Sequence, residues 1–369
     1  MSTLQQMIDQ LCPSGVEHVR LGDVTKIKAG QSISKNRIAE NPGPFPVINS
    51  GKEPLGYTNI SNSEDPIGIT TRGAGVGFVS WTPTPHFKGN LNYNVHVSNE
   101  KVNVRYLYFS LTHASNAIHE LCSYAGIPAL NLSRITTLEL PLPPREVQDK
   151  IVDYLDALVA VCDNLDTEIA QREHQFEAYR NKLITSATGD EVKLGDLLAY
   201  EQPSKYLVKQ ADYDDRFEVP VLTAGKTFIL GYTEETDGVY QASYESPVII
   251  FDDFTTAHKW VDFPFKAKSS AMKMLTPSTD TNSFKFIFYS LANIDVDTTD
   301  HKRQWISTVS NEMISLPPLS VQEDIADKLD TMQALIDNLK HERELRGQQF
   351  DFYRTKLLTF VAKDSTTND

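Results

Sequence analysis

Two stretches of the chain carry the same periodic pattern of apolar positions. Ile151, Leu155, Leu158, Cys162, Leu165, Ile169, Arg172, Phe176, Tyr179 and Leu183 step alternately by four and three residues, and Ile325, Leu329, Met332, Ile336, Leu339, Arg343, Arg346, Phe350, Tyr353 and Leu357 repeat the steps. An apolar residue every 3.5 positions, sustained for about five heptads, predicts a coiled-coil seam. Pro143-Pro144 and Pro317-Pro318 bar helix upstream of each start. Ser320 with Glu323 has the spacing of a capping box, and Gly189 can end the first helix. A helix of about 40 residues is about 60 Å long. Neither helix can bury such a seam alone, so the two are expected to pack on each other. Arg172 and Arg346 share a heptad position and Arg343 replaces Ile169; these arginines either snorkel from a loosened seam or fix register and antiparallel pairing.

The helices belong to a larger repeat. Leu142 to Thr185 aligns with Leu316 to Thr359 at a constant offset of 174, without a gap and with about half the positions identical. That level of identity implies duplication, not shared helical bias. Upstream the repeat is fainter: Arg20-Leu21-Gly22-Asp23 answers to Lys193-Leu194-Gly195-Asp196, Pro46-Val47-Ile48 to Pro220-Val221-Leu222, and Tyr106 to Leu111 to Phe286 to Leu291. The order is globule, helix, globule, helix. Within the globules short apolar runs (PFPVIN, PIGITT, NYNVHV; VPVLTAG, SPVIIF, MKML) are broken by Gly, Pro, Asn and Asp, which predicts many short strands. Each globule adds one helix, near Val104 to Leu121 and Ser283 to Ala292. The fold class expected is α+β.

Composition narrows the function. The 369 residues hold 35 Lys plus Arg and 49 Asp plus Glu, a net charge of −14. No apolar run reaches the roughly 18 residues of a membrane span, and MSTLQQMIDQ lacks the basic start and apolar stretch of a signal peptide, so a cytoplasmic protein is expected. Cys12, Cys122 and Cys162 are widely spaced and in no CxxC pair, which argues against disulfides and zinc. Catalytic motifs fail in turn. Arg72-Gly73-Ala74-Gly75-Val76-Gly77 leads into a strand and prolines where a dinucleotide loop needs a helix, and Gly225-Lys226-Thr227 lacks the leading glycine of a phosphate loop. No histidine pair has ligand spacing, and the acidic pairs Asp214-Asp215 and Asp252-Asp253 read as solvated loops. No catalytic residue, metal site or cofactor is assigned to the chain.

Three features together carry a family resemblance: the segment LCPSGVEHVRLGDV (Leu11 to Val24), the Pro-Pro-x-x-Val-Gln openings at Pro143 and Pro317, and the Phe-x-x-Tyr-Arg-x-Lys-Leu endings at Phe176 and Phe350. In order and in duplicate, they resemble the DNA-specificity subunits of type I restriction-modification systems. The resemblance implies two target-recognition domains related by a pseudo-twofold axis, separated by two long helices packed as an antiparallel coiled coil. Each domain would read one half of a split, asymmetric double-stranded DNA target, with the helices fixing the gap. It also implies two methyltransferase subunits as partners, with S-adenosylmethionine held by them, and restriction subunits joined through the complex.

The boundaries expected are 1–140 for the first recognition domain, including an N-terminal segment 1–18, and 141–189 for the first helical spacer. The second domain is 190–315, the second spacer 316–362, and 363–369 a disordered tail. Base edges are read chiefly by Arg, Lys, Asn and Gln. The DNA-contact candidates are therefore Lys35, Asn36, Arg37, Arg72, Lys88, Asn90, Asn92 and Tyr93 in the first domain. In the second they are His258, Lys259, Trp260, Lys266, Lys268, Lys273, Lys302, Arg303 and Gln304. Charge divides as +1 over 1–140, −4 over 141–189, −8 over 190–315 and −3 over 316–369. The acidic spacers suit protein partners better than DNA. An alternative reading is a coiled-coil scaffold with two β-rich binding globules.

Overall fold

The computed structural model describes residues 2–210, 212–225, 227–299 and 302–363. Lys226, Asp300 and the tail beyond Lys363, for which disorder is expected, lie outside the described residues. The chain divides into two compact units, 1–166 with 341–369, and 167–340.

The first unit opens with α1 (Ser2–Leu11), followed by β1 (Glu17–Arg20), α2 (Leu21–Val24), β2 (Thr25–Ala29), α3 (Lys35–Glu40), β3 (Phe45–Ile48), β4 (Tyr57–Thr58), β5 (Ile67–Thr70), β6 (Val79–Trp81), β7 (Phe87–Lys88), β8 (Asn92–Val97), α4 (Val104–His113), α5 (Ser115–Glu120), α6 (Leu132–Ile135) and β9 (Glu139–Leu142). Next comes the 42-residue helix α7 (Arg145–Ser186). The second globule has β10 (Asp190–Lys193), α8 (Leu194–Leu197), β11 (Leu198–Glu201), β12 (Val219–Leu222), β13 (Ile229–Thr233), β14 (Val248–Asp252), β15 (His258–Val261), β16 (Lys266–Ala267), β17 (Met272–Pro277), α9 (Phe284–Leu291) and β18 (Met313–Leu316), and α10 (Leu319–Leu358) follows.

The duplication is visible sheet by sheet. An antiparallel four-stranded sheet runs β2-β8-β5-β6 in one unit and β11-β17-β14-β15 in the other, and a three-stranded sheet runs β4-β3-β7 and β13-β12-β16. The last pair of each three-stranded sheet, β3 with β7 and β12 with β16, is parallel. A two-stranded ribbon, β1 with β9 and β10 with β18, closes each globule where the chain enters and leaves it. The Leu-Gly-Asp segments are single helical turns tucked beneath the ribbons. A side chain at Gly22 or Gly195 would press on Thr136 or on the Ser310 carbonyl.

Each unit contains half of each long helix, which is why its boundaries differ from 141–189 and 316–362. In the first unit Tyr154 meets Tyr353 edge-on at 5.2 Å, and Arg343 Nε donates to Asp166 at 2.9 Å. In the second, Lys340 pairs with Glu173 at 2.7 Å, and Phe176 and Leu183 cluster with Ile325, Leu329, Met332 and Ile336. Residue numbers fall along one helix as they rise along the other, so the pairing within each unit is antiparallel. Ile151, Leu155, Cys162, Ile325, Leu329 and Ile336 are buried, with Leu158, Leu165 and Met332 partly so. Tyr179 is not, because a straight helix drifts about 20° per heptad from a 3.5 repeat. Arg172 and Arg346 bond locally to Glu168 and Gln175 and to Glu342 and Gln349, as snorkelling side chains do, whereas Arg343 bridges to the partner helix.

Two expectations about helix ends change. Ser320 lies inside α10 and does not cap it; the start is set by the Pro318 carbonyl, which accepts from Val321 and Gln322. Gly189 lies beyond the helix end, and its lack of a side chain admits β18: a Cβ there would lie 2.0 Å from the Leu316 oxygen. The segment 1–18, expected with the first recognition domain, packs through α1 on the helix pair, where Leu4 clusters with Val147, Ile151, Leu357 and Leu358. It then bonds through Val16 to Val361 and Lys363.

Candidate nucleic-acid interface

In the first globule a chain of backbone bonds gathers the polar loops onto one rim. Gln31 N–H donates to the Lys88 carbonyl, Gly89 to Ile48, Thr71 to Leu91, Leu130 to Thr71, and Gly73 to Pro128. This brings together α3, the Gly89-Asn90 corner, the β5–β6 turn and the loop at 123–129. Ser34 caps the six-residue α3 by accepting from Arg37 N–H, and Ile38 anchors the helix on Val47 and Phe87. Lys35, Asn36 and Arg37 are left facing solvent, as are Arg72 and Asn90. Gly73 holds a positive φ of 91° in the turn beside Arg72. Lys52, which no motif singled out, is exposed within 6.0 Å of the Phe78 ring. Only tertiary proximity of Ser50 to Gly75 reveals its place beside this turn.

Three first-domain candidates are not on the rim. Lys88 is 1% exposed and fills the space beside Gly68, its ammonium 3.4 Å from the Ile67 carbonyl. Burial lowers its pKa to about 8, with Asp65 opposing the shift. Asn92 is equally buried and donates to the Asn49 carbonyl, and the Tyr93 hydroxyl donates to the Leu130 carbonyl. All three are held inside the globule by bonds to backbone carbonyls. At the register-equivalent positions of the second globule, Ile250 stands for Gly68, Met272 for Asn92 and Met274 for Asn94, whereas a lysine, Lys273, stands for Tyr93.

In the second globule the exposed candidates are Lys259, Lys268, Lys302 and Arg303. Lys268 takes the place of Gly89, its N–H donating to the Leu222 carbonyl as Gly89 does to Ile48. Its ammonium reaches the Tyr213 hydroxyl at 2.9 Å. Lys302 and Arg303 are exposed next to the β14–β15 turn, held there by Asp253. The Asp253 carbonyl accepts from Gln304 N–H, its Oδ1 from Trp305 N–H, and its Oδ2 pairs with Lys273 at 2.9 Å. Lys273 and Gln304 are therefore buried scaffold and not DNA contacts. Lys266 is also internal, paired with Glu235 at 2.7 Å and donating to the Asp237 carbonyl. Partial burial works against the Glu235 carboxylate, but Lys266 and the N–H groups of Gln210 and Lys209 hold its pKa down at about 2. Of the β15 candidates, Lys259 is exposed. His258 and Trp260 instead pack on Phe288 and Phe284 of α9, and burial lowers the pKa of His258. Among the described residues no group of three or more His, Cys, Asp or Glu is placed to hold a metal, and no helix is long and apolar enough to cross a membrane.

The Pro-Pro-x-x-Val-Gln openings fasten each globule to its helix. Gln148 is buried; its Oε1 accepts from Asn103 N–H at 2.8 Å, and its Nε2 donates to the Lys101 and Pro143 carbonyls. Gln322 does the same with Ser283 N–H, Asn282 and the Pro317 carbonyl. Asn103 and Ser283 are in turn the N-caps of α4 and α9.

The family model described as type I restriction modification DNA specificity domain matches residues 13–172 and again 188–345. The specificity subunit of the Escherichia coli type I restriction enzymes EcoR124I and EcoR124II is 50% identical over 193 residues, half of this chain and 48% of that protein, so the chain matches about half the length of this relative. A Mycoplasma pneumoniae type I specificity subunit is 24% identical over 93% of this chain and 97% of its own length. Among solved structures, the S subunit of a type I restriction-modification system from M. genitalium covers 93% of this chain and 96% of its own at a TM-score of 0.66 and 16% identity. A chain from a study of type I complex assembly and conformational transition gives 0.52 at 14%, covering 94% of this chain and 97% of its own.

Proposed function

Because the chain belongs to the family of type I restriction-modification DNA specificity subunits, we propose that it reads double-stranded DNA in two half-sites, one per globule, and brings methyltransferase subunits to that sequence. The chemistry of methylation and cleavage resides in those partners. The chain takes no part in it as a catalyst: its work is to recognise, space and recruit. Two methyltransferase subunits, with S-adenosylmethionine held by them, match a chain that is itself a duplication. Restriction subunits join through the complex, which acts in the cytoplasm. The observation that carries this reading is one sheet plan built twice, each copy with a rim of polar and basic side chains on loops. A duplicated reader with rigid elements between its copies suits a target in two parts with a fixed gap.

A gel-shift series with the full chain, alone and with co-expressed methyltransferase subunits, tests the proposal. Mapping methylated adenines in a host carrying the complex then reports both half-sites and their gap. If no duplex is bound sequence-specifically even by the complex, the proposal fails.

A further inference from the structure

In both units a stacked cation fastens the domain helix to the long helix, and the two fastenings make the same two bonds with different residues. Arg105, in the first turn of α4, lies 4.4 Å above the Trp81 ring on edge strand β6. Its Nε and one terminal nitrogen both donate to Oδ1 of Asp156 on α7, each at 2.8 Å. Lys285, in the first turn of α9, lies 4.1 Å above the Trp260 ring on β15 and pairs with Oδ1 of Asp330 on α10 at 3.2 Å. The positions correspond: Trp81 faces Ile67 and Trp260 faces Ile249 in matching registers, and the two aspartates are one repeat apart. A lysine supplies a compact ammonium where arginine supplies a directed fork. The second donor to Asp330 is the Tyr289 hydroxyl, which bonds the same carboxylate oxygen. The first unit has Phe109 at that place, packed on Phe350 as Tyr289 is on Phe176. Arginine with phenylalanine in one copy and lysine with tyrosine in the other therefore deliver two donors each.

We propose that these are positioning residues for DNA reading. The Arg105–Trp81–Asp156 and Lys285–Trp260–Asp330 fastenings hold each recognition domain at a set angle on the helix that carries it, and so fix the number of base pairs between the half-sites. The inference rests on the reading of the chain as a two-part DNA reader. An ordinary exposed ion pair contributes little and needs no compensating exchange. Here the cations are largely covered, 19% and 31% exposed, and the donor count is kept through a change at two positions.

The test uses the full chain with its methyltransferase subunits in a host whose methylated adenines are mapped. Arg105→Lys removes one donor. The half-site sequences should stay unchanged, while the share of methylated sites with a gap one base pair too long or short rises roughly tenfold, the equivalent of one lost charge-assisted bond. Arg105→Lys combined with Phe109→Tyr installs the donor pair of the second unit and should return the gap to that of the unsubstituted chain. An Arg105→Lys pattern identical to the unsubstituted chain overturns the proposal, as does a double variant no closer to it than the single one, including loss of methylation in both. An unsubstituted complex that marks no two-part sequence refutes the DNA-reading function instead. The fastening is then judged by amide hydrogen exchange over Val104–His113, where protection must fall in the single variant and recover in the double, or the fastening does not exist.

Discussion

Gln148→Leu tests the attachment of the first globule to its helix. The side chain is wholly buried and makes three hydrogen bonds, at 2.8 Å from Asn103 N–H, 2.9 Å to the Lys101 carbonyl and 2.8 Å to the Pro143 carbonyl. Each such bond contributes about 1 kcal/mol net, and a buried N–H left without a partner costs about 1–3 kcal/mol more. Leucine nearly matches the volume, so little cavity is added, and the expected loss is about 4 kcal/mol. For a unit of roughly two hundred residues that lowers the melting temperature by about 10 °C. Gln322→Leu should cost less, because one of its acceptors is the Asn282 side chain, which can turn to water. Gln148→Glu should be worse than leucine at neutral pH, since a carboxylate would face two carbonyl oxygens, and should partly recover as acid protonates it. Guanidinium unfolding of the three variants checks the order. A loss below about 1 kcal/mol for Gln148→Leu, or a glutamate variant milder than leucine at pH 7, would refute the reasoning.

Lys88 has a folded-state pKa of about 8 against an unfolded 10.5. The unfolded chain therefore binds more protons between those values, and this residue makes stability rise with pH from about 8 to 10.5, by about 3 kcal/mol at most. Lys88→Met should abolish that rise and be more stable than the unsubstituted chain at pH 7, which denaturation across the range measures. Lys273→Met strands the buried Asp253 carboxylate and should cost about 3–5 kcal/mol, while adding Asp253→Asn, which still accepts from Trp305 N–H, should recover most of it in the same assay. A heptad inserted after Asp166 alone should disturb helix pairing. Matched heptads after Asp166 and Lys340 should widen the gap by about 10 Å, or three base pairs, with both half-sites unchanged in the methylation map.

What was legible in the sequence is whatever repeats or has a period. The seam from Ile151 and from Ile325 needs only local spacing, and the duplication needs only self-comparison, so helices, repeat order and family could be read directly. Lysine burial has no such local mark. Lys266 is neutralised by Glu235, thirty-one positions earlier in the chain, and Lys273 by Asp253, twenty positions earlier, across pairings that exist only once the sheets form. Lys88 is inside because Gly68 on another strand leaves it room. The glutamine of the Pro-Pro-x-x-Val-Gln motif was legible as a resemblance, but its task, tying a helix cap to a helix start, was not.

The same pairings recast the charge of the second globule. Its net charge of −8 counts against DNA only where the acids face it, and two of them, Glu235 and Asp253, are spent on internal lysines. Those lysines are equally lost to the DNA, so four of the six cations proposed there remain exposed: Lys259, Lys268, Lys302 and Arg303. With Lys35, Arg37, Lys52 and Arg72 on the first globule, the two rims carry eight exposed cations. At about 0.9 counterions released per neutralised phosphate, contacts from these eight alone give the isolated chain a logarithmic salt slope on duplex DNA of about −7. Replacing Arg37 or Arg72 by alanine should flatten it by about one each if they touch phosphate, and relax one half-site if they touch bases. Binding of random duplex by the isolated chain with a slope of about −9 or steeper would require phosphate contacts from cations beyond the two rims, such as the exposed Lys26, Lys28, Lys205 and Lys209, and would refute the rims as the whole of the DNA-facing surface.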